Sequence, residues 1–150
     1  MRYVIIILIA LVALDAYIRL APSDPAKWHV DPLTAATPQG NGWLVRPDGG
    51  NAAPKVRAAT PEALLAALDK IIRATPRTSV LAGSVGEGRI TYVTRSALWG
   101  FPDYTTISAV AQGDGAVPVI YARQRFGSND WGVNKARVEG WLTQLDATLP

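Results

Sequence analysis

The residues best suited to chemistry gather near the C-terminus, in Tyr121-Ala122-Arg123-Gln124-Arg125-Phe126-Gly127-Ser128-Asn129-Asp130-Trp131-Gly132-Val133-Asn134-Lys135-Ala136-Arg137. The stretch reads as a strand bearing arginines, a tight polar loop and the start of a last helix. Arg95 and Asp103 precede it. Arginine forks grip a carboxylate or phosphate through paired hydrogen bonds. Arg95, Asp103, Arg123, Arg125, Asp130, Asn134 and Arg137 therefore form a candidate anion site, with four arginines against two aspartates. The same residues also make a plain salt-bridge network, in which Asp103 and Asp130 neutralise arginines and Asp130 or Asn134 caps the helix. Catalysis has less support. Ser96 and Ser128 lack a histidine base, and an aspartate beside arginines is held in its charged form, which suits a general acid poorly. No catalytic residue, cofactor or metal site is assigned. His29, the single histidine, has no ligand-type spacing around it.

Positioning these side chains requires strands. Alternation places Tyr121, Arg123 and Arg125 on one face of their strand, Val93 with Arg95 on theirs, and Asp103 with Thr105 and Ile107 on another. In a simple meander Arg95 and Asp103 flank a reversal at Trp99-Gly100-Phe101-Pro102. The pattern thus predicts that all the candidate site residues converge at one sheet end.

The strands are read at Thr78 to Val85, Arg89 to Leu98, Asp103 to Ala111 and Val117 to Phe126, joined by Gly86-Glu87-Gly88, the 99–102 reversal and Gly113-Asp114-Gly115. Pro118 marks an edge position or a strand start. Ala82-Gly83-Ser84-Val85-Gly86 is one residue from a nucleophile elbow, but Ala82 replaces its first glycine and a strand follows instead of a helix; a phosphate loop fails for the same reason. Before the strands, Thr60-Pro61-Glu62 opens a helix with a cap, a proline at the first position and a favourable acid. Leu64, Leu65, Leu68, Ile71 and Ile72 give it one apolar stripe, and Thr75-Pro76 closes it. The closing helix starts at about Asp130 or Asn134 and runs to Leu149, with Val133, Val138, Trp141, Leu142, Leu145 and Leu149 as its buried stripe. The expected fold is α+β: helix, four-stranded antiparallel meander, helix, with the helices on one sheet face.

These residues carry a resemblance. Arg95-Ser96 with Gly100-Phe101-Pro102-Asp103, followed by Arg123 through Arg137, resembles the family of domain of unknown function 1499 over roughly residues 60–149. Its G-F-P-D element matches at Gly100 to Asp103, and its D-x-G-V-N-x-x-R element at Asp130 to Arg137. A serine often seen among the strand arginines is Gln124 or Ala122 here. Arg19-Leu20-Ala21-Pro22-Ser23-Asp24-Pro25, after an apolar N-terminus, resembles the family's membrane-bound bacterial members. The resemblance implies residence in a bacterial membrane and brings no established activity.

Length and composition bound the rest. A chain of 150 residues holds one modest domain after its apolar N-terminus. Three segments are read: an anchor at 1–22, a Pro/Gly-rich connector arm at 23–59, and a small domain at 60–150. From Tyr3 to Leu20 a helix spans roughly 27 Å at a rise of ~1.5 Å per residue, near the hydrocarbon thickness of about 30 Å. Asp15 and Arg19 are spaced to pair, and Tyr3 and Tyr17 suit the two headgroup belts. A cleavable signal peptide is the rival; Ala21-Pro22-Ser23 is the small-x-small site nearby, and its central proline makes it poor. With the α-amino group and Arg2 held inside, the expected placement is a single pass through the bacterial inner membrane at residues 3–20, with the C-terminal domain in the periplasm. Beyond residue 22 the chain carries 13 basic and 11 acidic residues, no footprint for nucleic acid. It has no cysteine, which excludes disulfides and thiolate metal sites. The arm resists helix and sheet alike, and Trp28 and Trp43 either tack it to the domain or, through Trp28, touch the membrane interface. The functional expectation is a non-enzymatic membrane-anchored domain that binds an unknown protein or a small anionic ligand. The alternative is a hydrolase or transferase using Asp103 or Asp130 as base.

Overall fold

A computed structural model of the protein describes residues 1–149; Pro150, the last residue of the third segment, lies outside the described residues. The elements in chain order are α1 (Arg2–Leu20), α2 (Pro25–Trp28), β1 (Gly42–Val45), α3 (Pro61–Arg73), β2 (Thr78–Ser84), β3 (Arg89–Arg95), β4 (Pro102–Gln112), β5 (Gly115–Gln124) and α4 (Val133–Thr148). The strands form one antiparallel sheet in the order β1-β5-β4-β3-β2.

The sheet has five strands where the sequence predicts four. The additional strand, β1, comes from the arm, against the expectation that this composition resists sheet. Its residues Gly42, Trp43, Leu44 and Val45 pair with Arg123, Ala122, Tyr121 and Ile120. Gly42 makes the pairing possible, because a Cβ there would collide with the Ala122 carbonyl oxygen. β1 also accounts for Pro118. On β5 the even-numbered residues face the β1 side, as the two bonds between Ala116 and Arg57 and the Gln124 amide to Asn41 require. Pro118 falls between the Arg57 bridge and the end of β1, where no donor is needed.

One apolar cluster joins Leu64, Leu65, Leu68 and Ile72 of α3 with Val138, Trp141 and Leu145 of α4 and with Ile90, Tyr92, Ile107, Ile120 and Val45 of the sheet. α3 begins as its sequence dictates, with Thr60 Oγ1 accepting from the Ala63 amide at 3.2 Å. α4 begins at Val133 and leaves Val133 half exposed, so its buried stripe starts at Asn134 and Val138 instead.

The opposite sheet face is covered by the arm. The Trp28 ring stacks on Tyr104, with centroids 3.9 Å apart and planes inclined by 9°, and Val93 completes the contact. Trp28 is buried, which removes it as a membrane contact. Its carbonyl oxygen accepts from Arg123 Nη2 at 2.6 Å and from Thr106 Oγ1 at 3.3 Å. His29 is engaged at both ring nitrogens: its Nδ1 lies 2.8 Å from Thr91 Oγ1, and its Nε2 accepts from Arg89 Nε at 3.2 Å. Gly83 clears a path for that ring, since a Cβ there would lie 2.9 Å from the imidazole Cε1 and closer still to the Arg89 carbonyl.

Truncating Trp28 leaves a void over Tyr104 and an opened arm. Trp28→Ala should lower stability by about 3–5 kcal/mol, measured by denaturant unfolding; an unchanged midpoint would show that the arm is a loose tether.

Candidate functional site

The sheet end formed by the start of β4 and the end of β5 holds every candidate residue but divides them between two faces. Asp103 pairs with Gln124 and Tyr104 with Arg123. Asp103 therefore stands on the helix face with Gln124, whereas Arg123 and Arg125 stand on the arm face with Tyr104 and Pro102. Arg95, opposite Pro102, is on the arm face too. The expected single convergence is thus corrected to two groups.

The helix-face group is a chain of hydrogen bonds. Arg137 Nη1 donates to Asp103 Oδ2 at 3.1 Å and to Asn134 Oδ1 at 3.0 Å. Asn134 Nδ2 donates to Asp130 Oδ2 at 2.8 Å, and the Asn134 amide donates to the same oxygen at 3.0 Å. Asp130 Oδ1 accepts from the Gly132 amide. Asp130 thus closes the loop into α4, and buried Asn134 links it to Arg137. Burial pushes the Asp103 carboxyl above the usual carboxylate range; Arg137 pulls it back, and Asp130 adds a smaller upward push. The sequence expectation of a depressed Asp103 is reversed, because the loss of water outweighs one arginine.

Two clefts meet at Asp130 and Trp131. One, of about 250 Å³, lies against Asp103, Gln124, Phe101 and Phe126. The other, of about 530 Å³, lies against Trp43, Gly40 and Lys135. Trp131 is 89% exposed between them. The Gln124 Nε2 is buried without a hydrogen-bond partner among the described residues.

On the arm face each arginine holds a backbone carbonyl. Arg123 is buried, with Nη2 on the Trp28 oxygen and its guanidinium 4.3 Å from the Tyr121 ring centroid and 5.3 Å from that of Trp28. Desolvation lowers its pKa, against a smaller opposing influence of Tyr121 and Tyr104. Arg125 Nη1 donates to the Pro22 oxygen at 2.8 Å and to the Tyr104 hydroxyl at 3.2 Å. Arg95 Nη1 donates to the Gly100 oxygen at 2.9 Å. Among the described residues no carboxylate pairs with Arg95, Arg123 or Arg125. Sequence reasoning missed Arg19, whose Nη2 donates to the Leu98 oxygen at 2.9 Å while Nε holds Asp15. The acid–base spacing with Asp15 pointed to the helix pair but not to the loop.

The model of a protein family of unknown function, DUF1499, matches residues 20–145. The chain belongs to this family. The DUF1499 match begins at residue 20, well before residue 60 where the resemblance begins, and so takes in the arm and β1. Among curated proteins none matches the chain. Among solved structures, the crystal structure of TTHA0849 from Thermus thermophilus aligns over 63% of this chain and 86% of its own at 13% identity and a TM-score of 0.30, too slight a likeness to carry an argument.

The Asp103–Arg137 pair sets a pH dependence. The folded chain holds the Asp103 proton more tightly than the unfolded chain, so stability falls as pH rises from 3.8 through the folded value. Removing Arg137 moves that folded value higher and deepens the fall. Arg137→Gln should cost about 1–3 kcal/mol at pH 7 and distinctly less at pH 3, where Asp103 is protonated in both states. Chemical denaturation at the two pH values checks this; equal losses would show that Asp103 ionisation is not the cause.

Proposed function

We propose that the protein is a single-pass, membrane-anchored binding domain, facing the periplasm from a bacterial inner membrane, that recognises a small anionic ligand or a partner through the arginine end of its sheet. The observation that carries the binding reading is the state of Arg95 and Arg125. They flank Pro102 on one sheet face, each is oriented by a backbone carbonyl through Nη1, and among the described residues neither is neutralised by a carboxylate. Nitrogens of both guanidinium groups thus remain for an outside acceptor.

The anchor reading draws on α1. Its 19 residues have a mean hydropathy of 2.3 in the most apolar window, and only 6% of that window is buried against the domain. A helix this apolar is not built for water. The α-amino group and Arg2 lead it, which favours an inside N-terminus. Neither Asp103 nor Asp130 is a free base, since each carboxylate is occupied within the chain, and this supports binding over catalysis. One observation favours the alternative, a hydrolase or transferase: burial raises Asp103 at the edge of a cleft.

The test uses the full-length protein in membranes. Intact-mass analysis should return the uncleaved chain, and protease added to spheroplasts should digest its C-terminal domain. Inorganic phosphate or sulfate should raise the thermal midpoint of the wild type, by about 2.7 kcal/mol of stabilisation at a hundredfold excess over the dissociation constant, and not that of Arg125→Gln. A mature N-terminus near Asp24 would sink the anchor. An absent anion shift would sink the anion reading.

A further inference from the structure

The end of α1 is joined to the domain. Ile18 and Ala21 are buried, and Asp15 and Ala16 are half-buried. The Tyr17 ring lies 6.3 Å from Phe126, which in turn meets Phe101 edge-on at 6.0 Å. Arg19 bonds the Leu98 carbonyl and rests on Gly100, where a Cβ would come within 3.2 Å of it. The apolar run left uncovered is Tyr3 to Leu14, a helical length of roughly 18 Å at 1.5 Å per residue. That is well short of a hydrocarbon core of about 30 Å. An anchor of this chain spans only if the bilayer reaches up to Leu20. The domain edge packed on residues 15–21 then lies at headgroup depth.

That edge has the chemistry of a lipid interface. The β3–β4 reversal presents Leu98 at 74%, Trp99 at 43% and Phe101 at 37% exposure, and the loop into α4 adds Trp131 and Val133. Tryptophan and other aromatic side chains settle at the headgroup level, with their rings toward the chains. Behind the apolar tip stand Arg19 and Arg95, both at Gly100, and Arg125 at Pro22. Asp15, paired with Arg19, is their one carboxylate partner among the described residues. The edge keeps a positive excess beside its apolar tip, an arrangement that matches lipid phosphates above acyl chains.

We propose that the 96–101 reversal together with the 126–133 loop is a bilayer-docking surface, in which Leu98, Trp99 and Phe101 enter the headgroup layer while Arg95 and Arg125 hold lipid phosphates. The proposal rests on the anchor reading above and names phospholipid as the anionic partner of the same arginines. It also accounts for large apolar side chains gathered at one end of the domain, next to the membrane helix, where water would be a poor solvent for them.

The chain lacks cysteine, so a single introduced thiol carries a single label. Full-length protein is placed in nanodiscs of mixed phosphatidylcholine and phosphatidylglycerol, with a nitroxide at Leu98→Cys. Ile9→Cys reports the anchor, and Glu87→Cys reports the β2–β3 turn, far from the docking edge. Accessibility to oxygen and to a water-soluble nickel chelate is measured at each. The expected result is lipid-like accessibility at positions 9 and 98 and water-like accessibility at 87. In discs of a neutral glycolipid without phosphate, the oxygen-to-nickel ratio at 98 should fall toward that at 87, and Arg95→Gln with Arg125→Gln should do the same in phospholipid. A lipid-like label at 9 with a water-like label at 98 overturns docking while the anchor stands. A water-like label at 9 overturns the anchor and the proposal with it. A ratio at 98 indifferent to the loss of phosphate overturns the role given to the arginines.

Discussion

The guanidinium of Arg123 is buried on the arm face at the end of the sheet with no carboxylate among the described residues to meet it, and the arm is arranged around that fact. A buried cation without a partner is among the costlier things a small fold can hold. Here the Trp28 carbonyl takes one nitrogen, and the rings of Trp28 and Tyr121 take the cation's faces. Each of these partners fixes something else. The carbonyl fixes the path of the arm, the Trp28 ring caps Tyr104, and the same carbonyl receives Thr106, which leads through Thr91 to His29. Burial and the neighbouring Arg89 hold the His29 imidazole below its ordinary pKa, in keeping with a ring that accepts from arginine at Nε2. One charge thus organises a strip of chain that the composition alone would leave irregular.

The two family elements meet on the other face of the sheet. Asp103 of the G-F-P-D element and Arg137 of the D-x-G-V-N-x-x-R element are ion-paired, and Asp130 and Asn134 complete the same hydrogen-bonded chain. The motif is therefore a joint between the β4 start and the α4 start. The strand arginines beside it form another joint, to the arm and to Pro22. What looks in sequence like one crowded polar site is a pair of fasteners back to back, with the β-sheet between them.

The local elements were legible because local chemistry sets them. Thr60 caps α3 and the apolar stripe behind it is its core, while the two-residue turn at Gly113-Asp114 joins β4 to β5. β1 was not legible: four residues in a Pro/Gly-rich arm become a strand because Gly42 lets the backbone approach Ala122, which is a tertiary event. The division of the cluster could have been read. A two-residue turn pairs an odd position with an even one, so Asp103 had to share a face with Gln124, not with Arg123. Face assignments within each strand were sound; the step from one strand to the next was missing. The elevated Asp103 carboxyl was beyond reach, since it depends on how much water the packed loops exclude.

The junction at Ile18, Ala21 and Pro22 leaves no slack between α1 and the sheet. Ser23 is already bonded to Tyr104, and Arg125 grips the chain one residue earlier. Flexible tethers let a domain sweep a volume that grows with their length; this chain has no such tether. These contacts restrict how far the domain can turn from the helix, so whatever surface receives α1 also biases which way the domain faces. Its reach is its own height. A partner held on that same surface would meet it by lateral diffusion in two dimensions.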